Sequence, residues 1–195
     1  MAEEKPTIGV LALQGDVREH VRALQRAGAD AVPVKTRAAL NAVDGLIIPG
    51  GESSTVGMLL ERFDLMQPLR DRIAEGMPLF GTCTGLILMA KEIQGSAQPR
   101  IGCMDVAVHR NAYGRQIDSF EAEVPVPALG DEPVRAVFIR APQITHVEPG
   151  VEVLADTESG PILVRQGHLL GATFHPELTD DLRVHQLFIR MTQEK

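Results

Sequence analysis

Apolar and polar positions alternate along the first half of the chain in the way that is typical of a layered α/β fold. Short uninterrupted apolar runs occupy residues 8–13, 31–34, 44–48 and 78–80. Such runs indicate strands that are buried on both faces of a parallel sheet. Between them lie segments of helical periodicity, at residues 17–28, 56–63, 65–75 and 84–90. This order predicts three layers, with a mostly parallel central sheet and helices on both faces.

The pattern changes after Gln94. Apolar segments separated by turn residues predict additional strands, mostly antiparallel, at residues 101–108, 119–126, 136–139 and 151–155. Residues 162–164 and 169–174 predict a hairpin. A last helix is expected over 180–193, with Thr179 or Asp180 as its N-cap. No long linker interrupts the chain, so we expect a single domain over residues 1–195.

Composition narrows the possible classes of function. The 195 residues carry a net charge of −7, no tryptophan and only 4% aromatic residues. This composition argues against nucleic-acid binding, which favours a basic surface and aromatic stacking platforms. The sequence shows no apolar run near 18 residues and an acidic, polar beginning, so we expect neither a membrane span nor a secretory signal. Two cysteines without a C-x-x-C spacing argue against a disulfide framework or a cysteine zinc site. We expect a cytoplasmic protein with no metal and no cofactor.

A glycine-flanked cysteine is the first candidate for chemistry. The segment Gly81-Thr82-Cys83-Thr84-Gly85 joins an apolar strand to a helix and fits the G-x-nucleophile-x-G pattern of a nucleophile elbow. The turn would present the thiol at a helix N-terminus, where backbone N–H groups favour a thiolate. A buried structural cysteine beside a glycine-rich turn is the alternative explanation of this motif alone.

A base for this thiol is predicted at the end of the last apolar strand. His175 precedes Pro176, which favours an extended backbone, so that His175 and Glu177 point the same way. The carboxylate can then accept a hydrogen bond from one ring nitrogen while the other faces Cys83. A solvated loop is the alternative. We expect His20 and His185, on the first and last helices, to be exposed to solvent.

The turn Pro49-Gly50-Gly51-Glu52 follows another predicted strand and suits an oxyanion hole. Attack on an amide needs two N–H donors. The backbone amides of Thr84 and Gly51 are the candidates. A phosphate-binding loop is disfavoured because the segment lacks the lysine of a P-loop and Glu52 would repel a phosphate. A purely structural turn remains an alternative for the two glycines.

Taken together, these three motifs resemble those of class I glutamine amidotransferases. Five segments in order are similar to one family among them, the glutaminase subunit of pyridoxal 5′-phosphate synthase, over about residues 8–191. They are Leu13-Gln14-Gly15-Asp16-Val17-Arg18-Glu19-His20, Pro49-Gly50-Gly51-Glu52-Ser53, Arg110-Asn111-Ala112-Tyr113-Gly114-Arg115-Gln116, Phe138-Ile139-Arg140-Ala141-Pro142 and Phe174-His175-Pro176-Glu177-Leu178. The resemblance implies the flavodoxin-like fold of class I glutamine amidotransferases.

The resemblance also implies a reaction and a set of site residues. Cys83 would attack the side-chain amide of L-glutamine and form a thioester, while His175 transfers protons and Glu177 orients the imidazole. The implied substrate-binding residues are Gly50, Gly51, Glu52, Arg110, Ile139 and Arg140. Arginine suits the α-carboxylate of glutamine. The sequence departs from the family at Thr84, where alanine is usual, and a β-branched residue there could crowd the substrate.

A partner protein is implied as well. The family's glutaminase passes ammonia to a separate synthase subunit, a (β/α)₈ barrel, in a large hetero-oligomer. Three alternatives stay open: the glutaminase subunit of imidazole glycerol phosphate synthase, a cysteine hydrolase of the α/β type, and a catalytically silent binding module on the same scaffold.

Overall fold

The computed structural model describes residues 5–110 and 119–194, and residues 111–116 of the third family segment lie outside them. The strands are β1 Thr7–Leu11, β2 Asp30–Val34, β3 Gly45–Ile48, β4 Leu79–Thr82, β5 Ala90–Ile93, β6 Met104–His109, β7 Ser119–Val124, β8 Val134–Ile139, β9 Gln143–Val147, β10 Glu152–Thr157, β11 Gly160–Gln166 and β12 Leu169–Ala172. The α-helices are α1 Val17–Ala27, α2 Arg37–Asn41, α3 Ser53–Arg62, α4 Met66–Ala74, α5 Thr84–Met89 and α6 Arg183–Gln193. None of the helices in the described ranges is both long and apolar enough to cross a membrane.

Seven strands form the central sheet, in the order β10-β11-β12-β4-β3-β1-β2. The five strands from β12 to β2 run parallel, and β10 and β11 add an antiparallel edge. A three-stranded sheet, β5-β6-β9, and the hairpin β7-β8 complete the strands. The predicted parallel sheet with antiparallel additions in the second half is therefore confirmed.

Two apolar clusters cover the two faces of the central sheet. In β3, Leu46 and Ile48 belong to one cluster and Ile47 to the other. This alternation explains why β3 reads as an unbroken apolar run, since side chains on both faces are buried. The first cluster includes residues of α2 to α5, and the second includes Leu24 of α1 and Phe188 of α6. Helices thus cover both faces, as the periodicity predicted.

Several elements differ from the predictions. The short helix α2 and the strands β5 and β9 were not predicted, and the helix after the elbow ends at Met89, directly before β5. The last helix begins at Arg183, so the predicted N-cap at Thr179 or Asp180 is wrong. The carboxylate of Asp181 accepts from the backbone N–H of Arg183 and also binds its guanidinium. The first turn of the helix is therefore stabilised by Asp181 and not by Thr179 or Asp180.

Candidate active site

The cysteine elbow has the geometry that its glycines predicted. Cys83 lies between β4 and α5 with a φ of 49° and a ψ of −101°, a left-handed value that costs energy for a residue with a Cβ. A Cβ on Gly85 would lie 2.1 Å from the carbonyl oxygen of Ile48. The helix can therefore approach β3 this closely only because residue 85 has no side chain.

The carboxyl ends of the parallel strands open into a cavity of about 420 Å³. The segments that follow β1, β3, β4 and β12 all contribute to it, as expected for a ligand site in an open α/β sheet. The cavity is lined by Asp16, Gly51, Glu52, Ser53, Cys83, Thr84, Ile87, Arg110, Ile139, Arg140 and His175. The predicted nucleophile Cys83 and base His175 therefore face one cavity, although they lie 92 positions apart in the sequence.

The side chains of His175 and Glu177 are in contact, as the His-Pro-Glu spacing predicted, but Pro176–Leu178 form a 3₁₀ helix and not the extended backbone that was expected. Nδ1 of His175 lies 2.7 Å from Oε1 of Glu177, and both side chains are buried. The backbone N–H of His175 donates to the carbonyl of Val137 in β8, which anchors the residue after β12. Nε2 of His175 is buried and has no hydrogen-bond partner among residues 5–110 and 119–194. This ring nitrogen is therefore available to the thiol.

Electrostatics at the imidazole favour its charged form. Burial lowers the pKa of His175, but interactions with the side chains of Asp16, Cys83 and Glu177 outweigh it and raise the pKa above its usual value. Burial also raises the pKa of Glu177, against the opposing effect of the His175 hydrogen bond. The thiol of Cys83 contacts the carbonyl oxygen of Ile139 at 3.8 Å. An imidazolium beside a thiol is the arrangement that activates cysteine nucleophiles.

The glycine turn after β3 contacts His175 and Thr84, the residue that follows Cys83. Gly50 packs against the ring of His175 behind the cavity, and a Cβ there would lie 2.4 Å from Cε1. Gly51 lines the cavity, and its carbonyl oxygen accepts a hydrogen bond from the hydroxyl of Thr84 at 2.6 Å. The N–H of Glu52 donates to Oε1 of Gln14 at 2.8 Å. The peptide between Gly51 and Glu52 is therefore held at both ends by side chains.

Charged residues also line the cavity. Glu52 is the N-cap of α3 and accepts from the N–H groups of Ser54 and Thr55. Partial burial opposes ionisation, but the hydrogen bonds from these residues lower the pKa of Glu52 to about 2. The guanidinium of Arg110 donates to Glu52 at 3.0 Å and to Gln98 at 2.6 Å.

Ile139 and Arg140 reach the cavity from the end of β8. Arg140 has a φ of 44° and is exposed, and it lines the cavity beside Ile139. All predicted substrate-binding residues except Gly50 therefore lie on the cavity wall.

Asp16 was missed by the sequence analysis. Its Oδ2 lies 3.5 Å from Nδ1 of His175, and it lines the cavity. It lies in the turn between β1 and α1, immediately before the helix, and this place after the carboxyl end of a parallel strand was a usable signal.

The predicted exposure of His20 and His185 is wrong. Both side chains are fully buried, and Nδ1 of His20 lies 3.0 Å from Nε2 of His185. The polar neighbours of His20 in α1 suggested a solvated helix face, and no short-range signal indicated that its ring packs against Thr82 and His185.

Comparison with solved structures identifies the class of fold. A structure described as a crystal structure of glutamine amidotransferase superposes with a TM-score of 0.91 at 47% identity, covering 96% of this chain and 99% of that one. A structure of PurLQS from Thermotoga maritima shares the fold with a TM-score of 0.69 at 16% identity. The fold is thus that of the class I glutamine amidotransferases, as expected.

The chain belongs to the SNO glutamine amidotransferase family, whose profile matches residues 10–194. It is 56% identical over 182 residues to the pyridoxal 5′-phosphate synthase subunit PdxT of Carboxydothermus hydrogenoformans, which covers 93% of this chain and 95% of that protein. It is 51% identical over 186 residues to the protein of the same name from Thermotoga maritima, with 95% and 99% coverage. The family named from the sequence motifs is confirmed.

Proposed function

We propose that the protein hydrolyses L-glutamine to L-glutamate and ammonia and supplies the ammonia to a synthase subunit that makes pyridoxal 5′-phosphate. The observation that carries this proposal is the pairing of Cys83 with His175 at one cavity, in a chain that is 51–56% identical to proteins named as the PdxT subunit of that synthase. No observation gives comparable support to the alternative, the glutaminase subunit of imidazole glycerol phosphate synthase.

In the proposed reaction, the thiolate of Cys83 attacks the carbonyl carbon of the glutamine side chain. The proton on Nε2 of His175 passes to the amide nitrogen as the C–N bond breaks, and ammonia leaves. Water then attacks the thioester and gives its proton to the same ring nitrogen. The C–S bond breaks, glutamate leaves and the thiolate of Cys83 is regenerated. Glu177 holds Nδ1 at 2.7 Å and so fixes the ring through both steps.

The oxyanion formed in each step is proposed to bind the backbone N–H groups of Thr84 and Gly51. Thr84 contributes more than its amide, because its hydroxyl orients the Gly51 carbonyl at 2.6 Å. This hydrogen bond also answers the concern about crowding, since the β-branched side chain is engaged with the glycine turn and is only 2% exposed.

Two arginines are proposed to bind the amino-acid end of glutamine. Arg110 is held by Glu52 and Gln98, whereas Arg140 lines the cavity on a left-handed backbone. We assign the α-carboxylate to this pair, because guanidinium groups grip carboxylates in a two-point geometry. Gly50, Gly51, Glu52 and Ile139 would complete the binding site.

The partner is proposed to be a separate (β/α)₈-barrel synthase subunit, assembled with this chain in a large cytoplasmic hetero-oligomer. We further propose that residues 1–195 form one amidotransferase domain without a cofactor or metal. Glutamine hydrolysis should be weak in the isolated protein and should rise when the synthase subunit is added.

A glutaminase assay of the wild type and Cys83→Ala, with and without the synthase subunit, tests the proposal. The wild type should release ammonia with the synthase present, and the variant should not. Labelling of Cys83 by a glutamine-like diazo ketone distinguishes the silent-module alternative, because a silent site would not react. Full activity that ignores the synthase would exclude the proposed coupling.

A further inference from the structure

A buried pair of histidines lies directly behind the proposed triad. Nε2 of His20 is 3.1 Å from Oγ1 of Thr82 and 3.5 Å from Oε2 of Glu177. Nδ1 of His20 is 3.0 Å from Nε2 of His185. A continuous row of polar side chains thus runs from Cys83 through His175 and Glu177 to these two rings. The reaction proposed above uses neither ring.

Burial favours the neutral form of both rings. Burial, together with the nearby His185 and His175, lowers the pKa of His20 well below its usual value. Burial alone lowers the pKa of His185 to about 4. Each ring therefore carries one proton, and its position is decided by the surrounding acceptors.

The surrounding atoms distinguish the two arrangements of these protons. If His20 carried its proton on Nδ1, it would donate to His185, whose own proton would then sit on Nδ1. That atom is buried without a hydrogen-bond partner in the part of the chain that the structure describes. The lone pair of His20 Nε2 could then accept from the hydroxyl of Thr82, but it would also face the carboxylate of Glu177. An orphaned buried N–H and two facing acceptors are both costly.

The opposite arrangement avoids both costs. His185 donates from Nε2 to Nδ1 of His20, and His20 carries its proton on Nε2, between Thr82 and Glu177. Only a lone pair of His185 is then left without a partner, which costs less than an unpaired N–H. The outer oxygen of Glu177, Oε2, is buried and accepts no hydrogen bond within the described ranges, and Nε2 of His20 lies 3.5 Å from it.

We propose that His20 is a positioning residue that directs its Nε2–H at the outer carboxylate oxygen of Glu177, and that His185 fixes the required tautomer. This inference rests on the proposed function, because its consequence is felt at the triad. The N–H favours the ionised carboxylate against the effect of burial. An ionised Glu177 in turn keeps His175 charged and oriented toward Cys83.

The charged and titratable groups around the pair are few. Glu177 faces His20 from the turn after β12, and His175 and Asp16 lie beyond it. Thr82 approaches from β4, and the ring of Phe80 packs edge-on against both histidines. Of the triad side chains, Glu177 is the one that lies within 4 Å of His20, while the charge on His175 acts on it from further away.

The tautomers are measured directly by NMR of protein labelled with ¹⁵N-histidine. His20 and His185 should both be neutral Nε2–H tautomers at pH 7, assigned by the loss of signals in His20→Gln and His185→Gln. A proton on Nδ1 of His20, or a charged His20 ring at pH 7, would overturn the proposal. This measurement does not depend on glutaminase activity.

The consequence at the triad is measured by alkylation of Cys83 with iodoacetamide across a range of pH, read by mass spectrometry of its peptide. His20→Leu removes the donor, and the rate at pH 7 should fall about tenfold, as expected for one hydrogen bond to a charged group. The pH at which reactivity appears should rise by about one unit. His20→Gln places an amide N–H near the original Nε2 and should restore the rate to within about twofold.

The variants also separate positioning from a purely structural role. A structural role would lower the melting temperature without moving the pH profile, and equal profiles in His20→Leu and His20→Gln would overturn the proposal. If His20→Leu does not fold, His185→Leu provides a second test, because it keeps both His20 and Glu177. The fraction of His20 with its proton on Nε2, measured by NMR, should then decrease. An unreactive Cys83 in the wild type would instead overturn the proposed function.

Discussion

Gly50 offers a direct test of whether the position of the His175 ring controls activity. The residue is a glycine although its φ lies outside the left-handed region, so alanine would not strain the backbone there. A Cβ at this position would lie 2.4 Å from Cε1 and 3.0 Å from Nδ1 of His175. Carbon atoms in contact normally stay about 3.5 Å apart or more, so the ring must move by roughly 1 Å.

A displacement of this size should be visible in catalysis. The ring is held by a 2.7 Å hydrogen bond to Glu177, and moving it changes that bond together with the direction of Nε2. A misplacement of about 1 Å can cost about a hundredfold in rate. We therefore expect Gly50→Ala to lower kcat/KM for glutamine by about two orders of magnitude, with the loss mainly in kcat.

Gly45→Ala is the matched control. It adds the same methyl group to the other end of β3, 2.8 Å from Cγ2 of Thr192 and far from the cavity. Both variants should lose about 1–3 kcal/mol of stability through overpacking, measured by urea unfolding. The assay is glutamine hydrolysis with the synthase subunit present. A folded Gly50→Ala protein with kcat/KM within about threefold of the Gly45→Ala control would refute the reasoning.

Three further predictions concern the hydrogen bonds around the cavity and the buried histidines. Thr84→Val should lower kcat/KM about fivefold because it removes the hydrogen bond to Gly51, whereas Thr84→Ser should keep both the hydrogen bond and the activity. Equal losses of kcat/KM in steady-state assays of the two variants would contradict a role for the Thr84 hydroxyl. Glu52→Ala should lower the melting temperature at pH 7 because it removes the N-cap of α3. Since the pKa of Glu52 is lowered to about 2, the difference in melting temperature from wild type should shrink as the pH falls from about 4.5 toward 2. A difference that stays constant over this pH range would argue against the capping role. The pKa of His185 is lowered to about 4 in the folded protein. Between pH 6.5 and 4 the imidazole is therefore protonated in the unfolded chain but not in the folded one, and the free energy of unfolding should fall by about 3 kcal/mol over this range. Urea unfolding of His185→Gln should show a flatter pH dependence than wild type, and an unchanged slope would contradict the assignment.

Local features of the sequence were sufficient for most of the fold. The unbroken apolar run of β3 predicted burial on two faces, and Leu46 and Ile47 do contact opposite clusters. Gly81 and Gly85 predicted a turn too tight for side chains, and Gly85 approaches the backbone of Ile48 as closely as that requires. Short elements such as α2 carry too few residues for a periodic pattern, so the sequence did not reveal them.

The candidate site was predicted where its residues are adjacent in sequence or lie at strand ends. His175 and Glu177 are two residues apart, and their side chains meet across the start of the 3₁₀ helix Pro176–Leu178. The short spacing predicted the contact, although the backbone is not extended there. Asp16 was overlooked because its proximity to His175 follows from the order of the strands. Motif spacing along a single segment contains no such information.

What the sequence by itself determined is the longer strands and helices, the cysteine elbow and the histidine–glutamate pair, because each depends on residues that are close together in the chain. Only the tertiary structure showed that His20 and His185 are buried and in contact with each other. Their rings meet although 165 residues separate them in the chain, and burial, which removes water as a hydrogen-bond partner, then makes each of their protons depend on one neighbouring atom.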